Sequence, residues 1–99
     1  MAQPIYKMYL MKYKESWYKL TTEEQNKLMA EGEKALKEVG AEQINMCISM
    51  WSSEEWLGWG LEKYPDIEAV QKHTMILYNK NWFEYIDSKT YLGTAMPQA

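Results

Sequence analysis

The chain has one cysteine, one histidine and no surplus of basic residues, and each shortage closes off a class of function. A single cysteine, Cys47, permits no intrachain disulfide and no cysteine-based metal cluster within one chain. On a strand it reads as a small buried filler. One histidine without HxH or HExxH spacing leaves zinc without convergent ligands, so no metal is expected. A formal net charge of −3 argues against broad binding to nucleic acid or anionic membranes, which call for a basic footprint. No stretch approaches the roughly 18 apolar residues of a membrane span. Lys7, Lys12 and Lys14 interrupt the apolar residues near the start, so no signal-peptide core forms and the cytoplasm is the expected compartment. There is no Gly-rich phosphate loop, no supported Ser, His, Asp set and no pair of carboxylates in apolar surroundings. Apart from a two-fold βαβ pattern there is no internal repeat, and low-complexity segments and linkers are missing. At 99 residues the expectation is one domain over residues 1–99.

What the chain does have is aromatic residues, with five Trp and eight Tyr. A core of large side chains explains them as well as a ligand pocket or subunit interface does. The organising stretch is INMCISMWSSEEWLGWGLEKY, Ile44 to Tyr64. Ile44, Met46, Ile48 and Met50 alternate with Asn45, Cys47, Ser49 and Trp51, the period of two that sends successive side chains to opposite sheet faces. Ser52 to Glu55 break the pattern, and Leu57, Trp59 and Leu61 resume it against Gly58, Gly60 and Glu62, which makes a hairpin. Glu62, beside Gly60, is the one acid expected to face the space that the helix-free side of the sheet would enclose.

The remaining elements follow from local signals. IYKMYLMKY, Ile5 to Tyr13, is rich in strand-favouring aromatics and forms the first strand. Thr21 and Glu24 have capping-box spacing, so a helix begins near Thr22 and ends at Gly40. Its apolar side carries Leu28, Met29, Gly32, Ala35, Leu36 and Val39. Asp66 after Pro65 caps a second helix that runs to about Asn79. Its broad apolar arc holds Val70, His73, Ile76, Leu77 and Tyr78. Trp82 to Ile86 form an aromatic short helix or turn, and Lys89 to Thr94 a last strand. The order βαββαβ is α+β and ferredoxin-like: an antiparallel sheet with two helices on one face.

If Met8, Leu10, Ile44, Met46, Ile48, Leu57, Trp59, Leu61 and Leu92 meet the helices, then Lys7, Tyr9, Met11, Tyr13, Asn45, Cys47, Ser49, Trp51, Trp56 and Tyr91 face away. Such a face rivals the largest apolar patch of a typical monomer, about 300–600 Å². A second copy of the chain is the simplest cover, since most oligomers are symmetric homo-oligomers.

In element order, length and aromatic placement, Ile5 to Thr94 resembles the dimeric α+β barrel proteins, which include antibiotic-biosynthesis-monooxygenase-like and Dabb-like domains. The resemblance implies a homodimer joined through the helix-free sheet face, with a pocket for a small apolar or aromatic molecule. It also implies cofactor-free monooxygenase or isomerase-type chemistry as the enzymatic option, with no cofactor. Members that degrade haem or oxidise aromatic polyketides use a helix-borne histidine and a strand tryptophan, and His73 and Trp59 occupy similar elements. The first-strand asparagine of the haem-degrading members is missing from Ile5 to Tyr13, which argues against haem degradation. In the enzyme version His73 takes or gives a proton while Trp59, Tyr6 and Trp82 position a planar substrate by stacking. Two alternatives stand beside it. One is a non-catalytic structural or ligand-sensing dimer. The other is an RNA binder, because LGWGLEKY at Leu57 to Tyr64 and IYKMYL at Ile5 to Leu10 resemble the two RNA-recognition-motif signatures. Leu57 replaces the basic opening residue of that family and Leu61 replaces a stacking aromatic.

Overall fold

The computed structural model describes residues 3–97. Strands β1 (Ile5–Tyr13), β2 (Glu42–Ile48), β3 (Gly58–Tyr64) and β4 (Ile86–Gly93) alternate with helices α1 (Thr22–Glu38), α2 (Ile67–Asn79) and the short α3 (Trp82–Tyr85). A single turn of 3-10 helix, Glu15–Lys19, leads from β1 towards α1. The sheet order is β2-β3-β1-β4 with all neighbours antiparallel. Thus α1 carries the chain from β1 past β3 to β2, and α2 carries it from β3 past β1 to β4. This is the expected ferredoxin-like α+β topology.

Local chemistry accounts for the helix ends. At α1 the Thr21 hydroxyl accepts from the Glu24 N–H at 3.1 Å, and the Thr21 N–H donates to the Glu24 carboxylate at 2.9 Å. At its other end Gly40 takes φ +74°, the Ala41 N–H donates to Leu36 and the Gly40 N–H to Lys37. That pair is the Schellman pattern, and Ala41 packs in the same cluster as Leu36. Asp66 caps α2 by accepting from the Ala69 N–H at 2.8 Å.

The alternation in β1 and β3 is as expected, but its phase is reversed. Residues directly opposite one another in an antiparallel pair share a face. Tyr64 packs with Val39 of α1 and with Ala69 and Val70 of α2, which places Gly58, Gly60 and Glu62 on the helix side as well. Through the register, Ile5, Lys7, Tyr9 and Met11 join them. Tyr6, Met8, Leu10, Trp59 and Leu61 therefore lie on the helix-free side, with Cys47 and Tyr91. The expected assignment of Met8, Leu10, Trp59 and Leu61 to the helices is corrected accordingly, as is that of Lys7, Tyr9, Met11, Tyr13 and Glu62 to the opposite face. Hydrophobicity misleads here because the middle of the helix side is polar.

The apolar core falls into two clusters at opposite ends of the layer between sheet and helices. One gathers Val39, Tyr64, Ala69 and Val70 with Ile5, Leu36 and Ile76. The other gathers Trp17, Leu28 and Ile86 with Met11, Tyr13 and Trp82. Trp82 reaches α1 where Gly32 has no side chain: a Cβ there would stand 2.7 Å from its ring. Gly60 plays the same part on β3, where an added Cβ would meet the Tyr9 hydroxyl at 2.6 Å. A break in register between Gln43 and Asn45 interrupts the pairing of β2 with β3, which resumes from Asn45 opposite Leu61 to Ile48 opposite Gly58. Beyond it Met46 and Ile48 reach the helix side, as expected, yet remain exposed.

Candidate functional site: a buried polar cluster under α2

Lys7 of β1 and Glu62 of β3 are register partners, and Tyr64 follows Glu62 on the same face. α2 sets His73 above them. All four side chains are buried, His73 to 3% exposure and Tyr64 completely. The Tyr64 hydroxyl lies 2.6 Å from Glu62 Oε1 and 3.0 Å from His73 Nδ1. Lys7 Nζ stands 3.9 Å from the same carboxylate oxygen and 5.9 Å from the centre of the Tyr64 ring. Next to this set, the Tyr9 hydroxyl donates to the Gln43 side chain at 3.3 Å, and Gln43 ties the irregular part of β2 by donating to the Asn45 and Leu61 carbonyls.

Burial governs the protonation of the group. It lowers the affinity of the Lys7 amine for its proton, and Glu62 opposes that shift. The Glu62 carboxyl is raised by burial, against the Tyr64 hydrogen bond and the Lys7 charge. Tyr64 is pushed far above its ordinary range by burial and by the Glu62 charge, and Tyr9 up to about 12 for the same two reasons. His73 is depressed to about 4, first by burial and then by the charge of Lys7, so it is neutral at pH 7. A neutral imidazole, a phenol, a carboxylate and an amine in contact can pass protons. Among the described residues no three His, Cys, Asp or Glu side chains converge to hold a metal ion.

The sequence-predicted site residues are not brought together. His73 lies between sheet and helix, whereas Tyr6 and Trp59 lie across the sheet from it. Trp82 belongs to the far core cluster and packs on α1. Tyr6 does line a concavity of about 430 Å³ on the helix-free side, with Met8, Leu61, Tyr91 and Leu92. A second one, of about 350 Å³, lies near the start of α1 and the end of α2, and neither touches His73. Sequence reasoning picked out His73 and Glu62 but missed Lys7, Tyr64 and Tyr9. The available signal was a lysine and a glutamate in mid-strand, where an unpaired charge is costly and a cross-strand partner is expected.

No protein-family model matches the chain, and no curated protein matches it in sequence. Solved structures do share its fold. The chlorite dismutase of Candidatus Nitrospira defluvii superposes with a TM-score of 0.77 at 9% identity, over 99% of this chain and 42% of its own. A Dabb family protein with a ferredoxin-like fold from Mesorhizobium loti gives 0.60 at 11%, over 97% and 98% of the two chains. A dimeric protein of unknown function with a ferredoxin-like fold from Bacteroides fragilis gives 0.52 at 13%, over 93% and 96%. This chain spans less than half the length of the chlorite dismutase-type chains it matches. At such identities the likeness is one of fold: the chain is similar to the Dabb protein, as its element order led us to expect, and also to chlorite dismutase-type ferredoxin-like proteins.

Proposed function

We propose that the chain is a homodimeric small-molecule-binding protein, two copies of which join through their helix-free sheet faces and hold a largely apolar or aromatic ligand between them. The observation that carries this reading is the helix-free face itself. Met8, Trp59 and Tyr91 are 43%, 39% and 49% exposed there, and the concavity beside them is lined by Tyr6, Met8, Leu61 and Tyr91. A face of this kind, with aromatic anchors around an aliphatic centre, has the composition of an interface core. The dimeric Bacteroides fragilis protein of the same fold supports it. In this arrangement Tyr6 and Trp59 keep the ligand-contacting role expected of them, and Trp82 is a packing residue.

A second, catalytic reading draws on the buried cluster, separately from the ligand held between the two sheets: His73 acts as proton acceptor or donor in cofactor-free chemistry. The RNA-binding alternative draws on the same exposed face, where Lys63 lies over the Tyr6 ring, Lys12 over Trp56 and Lys89 over Tyr91. The net charge of −3 and the aliphatic Met8, Leu10 and Leu61 at its centre weigh for a protein partner instead. Native mass spectrometry of the purified chain tests the choice. The expected species is a dimer that retains an apolar small molecule; a bare monomer that gains mass only with single-stranded RNA contradicts the proposal.

A further inference from the structure

The geometry points to Glu62 and Tyr64 as positioning residues that hold His73 in its Nδ1-protonated form and so present Nε2 as a free proton acceptor. The inference rests on the proton-transfer role given to His73 above, and deepens it by naming the atom and the groups that set it.

Counting the available protons fixes the tautomer. A phenol has one hydrogen to give and a neutral imidazole has one N–H. Tyr64 has two neighbours, Glu62 Oε1 at 2.6 Å and His73 Nδ1 at 3.0 Å. The Lys7 Nζ 3.9 Å away and the Tyr64 hydroxyl donating at 2.6 Å both favour the ionised, acceptor-only form of Glu62, against the burial that raises it. The Tyr64 hydrogen therefore goes to Glu62 along the shorter contact, the charge-assisted one. That leaves only lone pairs on the phenolic oxygen facing Nδ1, and the contact is a hydrogen bond only if Nδ1 carries the proton. Nε2 is then bare. It has no hydrogen bond among the described residues, and no fully buried side-chain nitrogen or oxygen there lacks a partner, so Nε2 retains contact with solvent.

The charged and titratable groups facing His73 are Lys7 from β1 and Glu62 and Tyr64 from β3, while α1 adds the apolar Leu36 and Val39 to the neighbouring cluster. When Nε2 takes a proton from a ligand O–H, the O–H bond breaks, its electron pair stays on the ligand oxygen, and the N–H bond forms at Nε2. The positive charge so created is shared through Nδ1–H and the Tyr64 hydroxyl with the Glu62 carboxylate. Without that carboxylate the same step would leave an uncompensated buried charge.

His73 is the only histidine, so its ring nitrogens are read without ambiguity in long-range proton–nitrogen correlation spectra of untagged, nitrogen-15-labelled protein at pH 7. The expected spectrum has a protonated Nδ1 and an unprotonated Nε2. Tyr64→Phe removes the acceptor and shifts the tautomer ratio towards Nε2–H by about tenfold, the equivalent of one hydrogen bond. A wild-type spectrum with the proton on Nε2 overturns the inference, whether or not the variant folds. The two readings also fail separately. Nδ1–H in the wild type supports the tautomer assignment whatever becomes of the proton-transfer role, which stands or falls on its own.

Discussion

The two sides of this sheet invert the usual arrangement. Beneath the helices, where a small α+β protein ordinarily keeps its most apolar residues, the middle of the layer holds Lys7, Glu62, Tyr64 and His73, and grease is confined to its ends. On the side without helices, Met8, Leu10, Trp59, Leu61 and Tyr91 present a mostly apolar surface. The comparison teaches that the helix layer shields chemistry, while the grease marks where another molecule belongs. A buried set of ionisable groups is costly, and here no fully buried side-chain nitrogen or oxygen among the described residues lacks a hydrogen-bond partner.

The open side should respond most strongly to substitution. Met8→Glu places a carboxylate in the middle of the proposed interface, and two-fold symmetry doubles it. We expect a loss of about 3–5 kcal/mol of association and a monomer at micromolar concentration by sedimentation, with the helical circular dichroism retained. On the helix side the largest effect is a titration. The unfolded chain takes up a proton on His73 near pH 6.5, the folded chain only near 4. Stability therefore falls as the pH drops through that interval, by on the order of 2–3 kcal/mol. Glu62 works in the opposite direction, since its raised folded value makes the native state hold that proton more readily. Melting curves of His73→Gln should accordingly lose less stability between pH 6.5 and 4 than the wild type.

A smaller effect is expected at Gly60→Ala, whose Cβ would stand 2.6 Å from the Tyr9 hydroxyl and 2.9 Å from the Asn45 carbonyl. Tyr9 can swing aside but the backbone of β2 cannot. Denaturant unfolding should show a cost of about 1–3 kcal/mol. Smallest is Tyr91→Thr, a strand-compatible truncation at the interface side of β4. It should weaken association by about 1 kcal/mol per interface and leave monomer stability within about 0.5 kcal/mol. Equal loss in both would mean that the open side is ordinary surface.

Much of the fold was legible because its signals are local. Thr21 and Glu24 announce α1, Gly40 ends it, Asp66 opens α2, and the period-two runs mark β1, β2 and β3 within a few residues. β4 begins at Ile86, three residues before the expected Lys89, because Ile86 pairs with Tyr13 at the end of a long hairpin-free register that no local pattern reveals. Side assignment failed for a different reason. Alternation gives two sets of residues in β1, Tyr6, Met8 and Leu10 against Lys7, Tyr9 and Met11, and the first is the greasier. Assigning it to the helices assumes that helices always cover the greasier side. Only the long-range pairing of Lys7 with Glu62 and the contact of Tyr64 with His73 reverse that choice. The same reversal separates Trp59 and Tyr6 from His73, three residues whose types suit one pocket but whose strand phase forbids it.

Sedimentation equilibrium of the wild-type chain over a dilution series tests the central claim most directly. The account predicts twice the chain mass at micromolar concentration, with dissociation on dilution or in Met8→Glu. A wild-type chain that sediments as a monomer throughout, with Trp59 and Tyr91 open to solvent, contradicts it.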